Sequence, residues 1–169
     1  MDSAVESALR EQIIAWVRER AEANGGFLHR EELLGYRTGG RRLPIIDYSR
    51  GIRNPPADFS STLSIVSSVN GPYDDVESAD GLLHYAYRKG DPFGGGDNAK
   101  LRNAMTTGMP LILFRKEVAN YYTPPIAPPV YVVDDYPEDR TFLVAWTRRS
   151  GSWATCASSR SRSARTPSG

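Results

Sequence analysis

Between residues 43 and 146 the apolar residues come in short bursts, each closed within a few positions by Gly, Pro, Asp or Asn. Residues 43–47, 62–69, 82–87, 110–114, 130–133 and 141–146 are the bursts, rich in Val, Ile, Leu and aromatics. They are too short for stable helices and carry the composition of strands bounded by turns. Short strands at this spacing predict a twisted barrel or a strongly curved sheet. One helix interrupts them: Leu101, Ala104 and Met105 form its apolar face, Asp97 reads as its N-cap and Gly108 as its stop.

Ahead of the strands the period is helical. Val5, Leu9, Ile13, Trp16 and Val17 recur at helix spacing over residues 3–23, and Asn24-Gly25-Gly26 ends the pattern. A shorter helix begins near His29 and stops around Gly35. The pair has the generic look of packing helices, with a helix-turn-helix as the other reading. Gly39-Gly40 opens the strand region. The expected class is therefore α+β: a helical prefix over residues 1–38, a curved-sheet or barrel unit with flanking helices over 39–146, and a tail over 147–169. The tail is rich in Ser and Arg with almost no apolar content, and is expected to be disordered.

Charge narrows the function. Five of the 21 basic residues (Arg148, Arg149, Arg160, Arg162, Arg165) and none of the 20 acidic residues lie in the tail. That leaves 16 basic against 20 acidic residues up to position 146, a balance of −4. A general polyanion binder would be strongly basic, so any nucleic acid must be held by a local patch and a specific pocket. The tail arginines either add binding without sequence preference or are simply solvated. Cys156 is the sole cysteine, which excludes a disulfide framework and a cysteine-based zinc site. No apolar run approaches the ~20 residues of a membrane span, and residues 1–8 lack a secretory pattern. A cytoplasmic, nucleoid-associated location is the expectation.

Catalytic patterns are missing from the sequence. His29 and His84 lie far apart, and no HExxH, GxSxG, Walker A or paired Cys/His spacing occurs. Asp74-Asp75 and Asp134-Asp135 read as turn or capping acids, since neither is followed by the acid-x-Lys strand of a nuclease. Gly94-Gly95-Gly96 reads as a flexible turn, because a capping Asp97 would take the N–H groups an anion needs. No catalytic residue, metal or cofactor is expected.

The densest segment is 70–91, NGPYDDVESADGLLHYAYRKGD. It holds Tyr73, Tyr85, Tyr87, Asp74 and Asp75 next to Arg88-Lys89. Tyr85 and Tyr87 alternate onto one strand face. Two ring faces and a carboxylate suit a flat heteroaromatic ring with an exocyclic amine, which is cytosine rather than thymine. Ordinary core tyrosines beside an Asp turn are the alternative.

The order of these residues resembles the SRA (SET-and-RING-associated) family, a PUA-like fold. Tyr73-Asp74-Asp75-Val76 followed by Gly81-Leu82-Leu83-His84-Tyr85 is similar to the family's pocket segment. Gly51-Ile52-Arg53-Asn54-Pro55 upstream, and Asp97-Asn98 with Pro110-Leu111-Ile112 downstream, complete the likeness over residues 40–146. It is strongest to the bacterial branch fused to HNH nucleases in McrA-type restriction enzymes, although no HNH motif follows Trp146. The resemblance implies a reader of double-stranded DNA carrying 5-methylcytosine or 5-hydroxymethylcytosine, which flips the modified base into an aromatic pocket. Tyr73 and Tyr85 would stack on the base, with Tyr87 beside them. Asp75 would hold its Watson–Crick edge, with Asp74 as the rival because the segment is one residue shorter than the family's. Ala86 stands where eukaryotic members carry Thr. Arg41, Arg42, Arg50, Arg53, Arg88 and Lys89 would meet the DNA backbone, with Arg53 filling the gap left by the base. Restriction of modified DNA would then need a separate nuclease. Three other classes stay open: an RNA-binding PUA-like module, a hydrolase using Asp74, Asp75 and His84, and an interaction protein.

Overall fold

A computed structural model describes residues 1–55, 59–68, 75–78, 81–89, 93–124 and 129–146. Tyr73, Asp74 and the whole of 147–169 lie outside the described residues. The protein is α+β, with two sheets, a small hairpin and flanking helices among the described residues.

Helix α1 (Ser3–Ala23) starts where the Asp2 carboxylate accepts from the Ala4 N–H at 3.0 Å. It ends at Asn24, followed by Gly25 and Gly26 at positive φ. Its buried stripe differs from the expected one. Val5 is 57% exposed, while Glu6, Arg10, Ile13, Ile14, Val17 and Ala21 face inward. The shift has a long-range cause. The Arg10 guanidinium pairs with Glu6 at 2.8 Å and donates to the carbonyls of Ser61, Thr62 and Pro110.

Strand β1 (Leu28–His29) leads into α2 (Arg30–Leu34), whose Glu32 carboxylate accepts from the His29 N–H. Strands β2 (Arg37–Thr38) and β3 (Arg41–Arg42) pair antiparallel around Gly39 and Gly40 at φ 55° and 76°. Two left-handed residues in a two-residue loop form the primed turn that matches strand twist. Residues 43–47 are not the expected first strand. Pro44 has no N–H for a ladder, and the segment is held irregularly, with the Ile45 N–H on Leu33 and its carbonyl accepting from Ser64 Oγ.

Strands β4 (Ile52–Arg53), β5 (Ser64–Ser68), β8 (Ile112–Val118) and β9 (Tyr121–Thr123) join β1 in one sheet ordered β1-β9-β8-β5-β4. Between β5 and β8, which run parallel, the chain makes β6 (Val76–Glu77), β7 (Leu83–Ala86) and α3 (Asp97–Thr107). Strands β10 (Tyr131–Tyr136) and β11 (Thr141–Ala145) complete a second, antiparallel sheet ordered β10-β11-β7-β6. A bridge between Leu111 and Val130 stitches the two sheets, and register shifts in β8–β9 and β10–β11 mark local bends.

The first sheet is the middle layer. Ile112 and Phe114 of β8 pack with α1, α2, Ile45 and Ile46 on one side. Leu113, with Ile52 and Ile65, packs on the other against Tyr85, Phe142, Val144 and Leu101. This two-sided burial explains why 111–114 is a continuous apolar run. Residues 1–38 therefore share a core with the sheet. Helix α3 begins without a side-chain cap, since Gly96 at φ 96° precedes it. Asp97 instead turns its carboxylate to Asn54 Nδ2 at 2.7 Å and Arg50 Nη1 at 3.5 Å.

Candidate nucleic-acid interface

The parallel pairing of β5 and β8 puts Ser68 beside Lys116 at one end of the middle sheet. A cavity of about 210 Å³ opens there. Residues 47–51 form one wall, Arg30 of α2 and Lys116 line it beside Tyr122, and Asp75 and Arg88 arrive from the second sheet. The volume lies below the ~300–1,000 Å³ of drug-sized pockets, so it suits a single small ring.

The wall at 47–51 is an Asx turn. Asp47 Oδ1 accepts from the N–H of Ser49 and Arg50 at 3.1 and 3.0 Å. Burial pushes the Asp47 carboxyl up, but these N–H groups and the Arg50 guanidinium outweigh it and hold the group below its usual value. The turn leaves Tyr48 60% exposed at the cavity. Arg30 and Arg42 sit over its ring at 5.6 and 5.9 Å.

The Asp75 side chain is only 4% exposed, with Oδ1 accepting from the Ala86 N–H at 2.9 Å and 3.8 Å from Arg88 Nη1. Arg88 is also inside, at 7% exposure. Its guanidinium carbon lies 4.1 Å from the centroid of the Tyr85 ring. Nη2 donates to the Tyr85 hydroxyl and to the Val66 carbonyl, and Nη1 donates to the Ala86 carbonyl. Asn98 grips the Arg88 backbone. Gly51 permits this crowding, since a Cβ there would meet Arg88 Nη2 at 3.2 Å and the Val66 carbonyl at 3.3 Å.

These contacts revise several expectations. Tyr85 presents no ring face to the cavity. It is fully buried, its hydroxyl reaches the carbonyls of Gly51 and Val66, and Arg88 covers it. Burial drives its phenol well above the usual range, partly offset by Arg88. Tyr87 is core as well: its ring lies 4.6 Å from Phe142 and its hydroxyl donates to Asp135, which also pairs with Arg102 at 2.7 Å. Burial, then the bond to Asp135, raises its phenol. Both tyrosines follow the strand period into the space between the sheets, where rings fill volume. His84 takes the opposite face of β7 and does not line the cavity; Asp74 lies outside the described residues.

The cations divide. Arg50 is 61% exposed at the cavity, between Asp47 and Asp97, and Lys89 is exposed. Arg41 and Arg42 are exposed on the hairpin, where Arg42 reaches the Leu34 carbonyl and the Tyr48 hydroxyl. Arg88 is no surface phosphate ligand, because it is buried in the stack. Arg53 is tied to the Pro44 carbonyl at 2.9 Å and lines a different hollow, with Phe59 and Leu43. It does not reach into this cavity to fill a gap. Arg30, Tyr48, Lys116 and Tyr122 were missed in the sequence. Only Tyr48 carried a local signal, as the residue after the Asp of an Asx turn. Among the described residues no cluster of His, Cys, Asp and Glu could hold a metal, and no helix is long and apolar enough to cross a membrane.

No family model and no curated protein matches the sequence. Among solved structures the chain is similar to the SUVH5 SRA domain in complex with fully methylated CG DNA. The identity is 22% and the TM-score 0.46, over 73% of this chain and 85% of that one. The SUVH5 SRA domain bound to fully hydroxymethylated CG DNA gives 22% identity and a TM-score of 0.40, over 67% and 79%. KRYPTONITE in complex with mCHG DNA and SAH gives 19% and 0.36, over 66% of this chain and 28% of that one.

Proposed function

We propose that this protein binds double-stranded DNA carrying a modified cytosine, 5-methylcytosine or 5-hydroxymethylcytosine, by taking the base out of the duplex into the cavity beside Asp75. The observation that carries the reading is a buried carboxylate on a ring-sized cavity whose other walls bear Arg30, Arg50 and Lys116. A carboxylate accepts from the cytosine N4 amine, and cations around it suit the flanking phosphates. Tyr73 and Asp74, next in sequence to Asp75, belong to the same pocket in this reading. The McrA-like order of motifs across residues 40–146 supports it.

The energies are compatible. Extruding a base costs a few kcal/mol. Stacking returns ~1–3 kcal/mol per base, and a good edge contact ~1–3 kcal/mol. Phosphate contacts supply the rest. Burying one methyl adds only ~0.8 kcal/mol, about fourfold in affinity, so strong preference for the modified base requires a pocket that penalises an empty methyl site. The protein acts as a reader in the compartment that holds the DNA, and cleavage in any restriction role falls to a separate nuclease.

Fluorescence polarisation on duplexes identical except for one cytosine, 5-methylcytosine or 5-hydroxymethylcytosine tests this. Tighter binding to a modified duplex, resistant to competition by unmodified RNA, is the expected result. Equal affinity for all three overturns it.

A further inference from the structure

We infer that the ring admitted to this cavity stacks on the guanidinium plane of Arg88, with Tyr85 as the backing layer beneath; this rests on the reading of the cavity as a base pocket. Tyr85 is fully buried and does not line the cavity, whereas Arg88 does both jobs of contact: it lines the cavity and lies 4.1 Å above the Tyr85 ring. Unstacked bases are held on arginine planes as well as on aromatic rings.

The plane is immobilised in the way a stacking platform needs. Its two terminal nitrogens are spent on Ala86, Val66 and Tyr85. Asn98 fixes the backbone from which it grows. Asp75, 3.8 Å away, offsets its charge and stands where it can meet the edge of a ring lying on the plane. A phosphate-binding arginine would instead keep its fork toward solvent. The order of layers is Tyr85, Arg88, then base. Lysine cannot substitute, because an ammonium has no plane.

The test uses the full chain, wild type and the variants Arg88→Lys and Arg88→Met, each checked for folding by circular dichroism. Affinity is measured on duplexes identical except for 5-methylcytosine, cytosine or an abasic site at one position. Loss of the stacking surface predicts that both Arg88 variants lose about tenfold in the ratio of 5-methylcytosine to abasic affinity. Their abasic affinity and its salt dependence stay near wild type. An unchanged ratio in Arg88→Lys overturns the inference, as does an equal loss on both duplexes, the mark of a phosphate or purely structural role. Tighter binding by Arg88→Met also overturns it, because Arg88 would then merely cover Tyr85. If the wild type binds cytosine and 5-methylcytosine duplexes alike, the base-pocket reading itself falls and takes this inference with it.

Discussion

Asn98 holds Arg88 by both of its backbone groups: Oδ1 accepts from the Arg88 N–H at 2.9 Å, and Nδ2 donates to the Arg88 carbonyl at 3.0 Å. A side-chain amide from α3 thus does for the end of β7 what a neighbouring strand would do. Replacing it by Ala strands a buried donor and a buried acceptor, each worth ~1–3 kcal/mol. Urea denaturation should show Asn98→Ala less stable by about 2–4 kcal/mol. Asn98→Asp, which sets a carboxylate oxygen against the Arg88 carbonyl in place of a donor, should be no more stable than Asn98→Ala.

Gly51 is needed for close approach rather than for its φ. A methyl there meets Arg88 Nη2 at 3.2 Å and the Val66 carbonyl at 3.3 Å, one held by its hydrogen bonds and the other part of a strand backbone. Gly51→Ala should therefore cost ~1–3 kcal/mol in stability while reducing the preference for modified over plain cytosine. The check is a denaturation curve beside the three-duplex binding series. A variant that melts early and binds selectively contradicts it.

The Glu6–Arg10 pair joins α1 to the starts of β5 and β8. Burial lowers the Arg10 pKa, with Glu6 working against it. Arg10→Met leaves the Glu6 carboxylate buried beside Ser60, its remaining donor, and should cost ~3–5 kcal/mol. Glu6→Gln with Arg10→Met should cost less than the sum of the single changes, as a double-mutant cycle would reveal.

Alkaline pH should weaken the fold through Tyr85. Burial raises its folded pKa, so an unfolded chain gives up this proton near pH 10 while the folded protein keeps it. The contribution is complete below the unfolded value and is lost as pH rises through and beyond it. Stability measured in urea between pH 8 and 11 should fall more steeply for wild type than for Tyr85→Phe.

Arg30 and Lys116 line the cavity. Arg30→Ala and Lys116→Ala should weaken binding about equally on modified and unmodified duplexes, each lowering the salt-dependence slope by about 1. A change in selectivity instead would assign them to the base.

Much of the local structure was written in local residues. The span of α1 follows from apolar spacing and Asn24-Gly25-Gly26, and α3 from Leu101 and Ala104 ahead of Gly108. These signals act over a few residues, where backbone preference and side-chain period decide the outcome. The mixed α+β class followed from the same switch of period.

Contacts distant in sequence were decided by the tertiary structure alone. It buried Glu6 and Arg10 instead of Val5, because the carbonyls of Ser61, Thr62 and Pro110 needed a donor. It freed Asp97 from capping by offering Asn54, and it brought Lys116 beside Ser68 through a parallel pairing no local pattern announces. At the cavity, Asp75 lies on the wall as its place in the sequence suggested, whereas Tyr85 is buried in the core and Arg88, expected on the surface, lies over its ring. Both are amphipathic side chains able to lie in or out of a core. Which one lies beneath the other depends on the gap beside Gly51, the clamp from Asn98 and the second sheet packed on the first, none of which a strand's own residues encode.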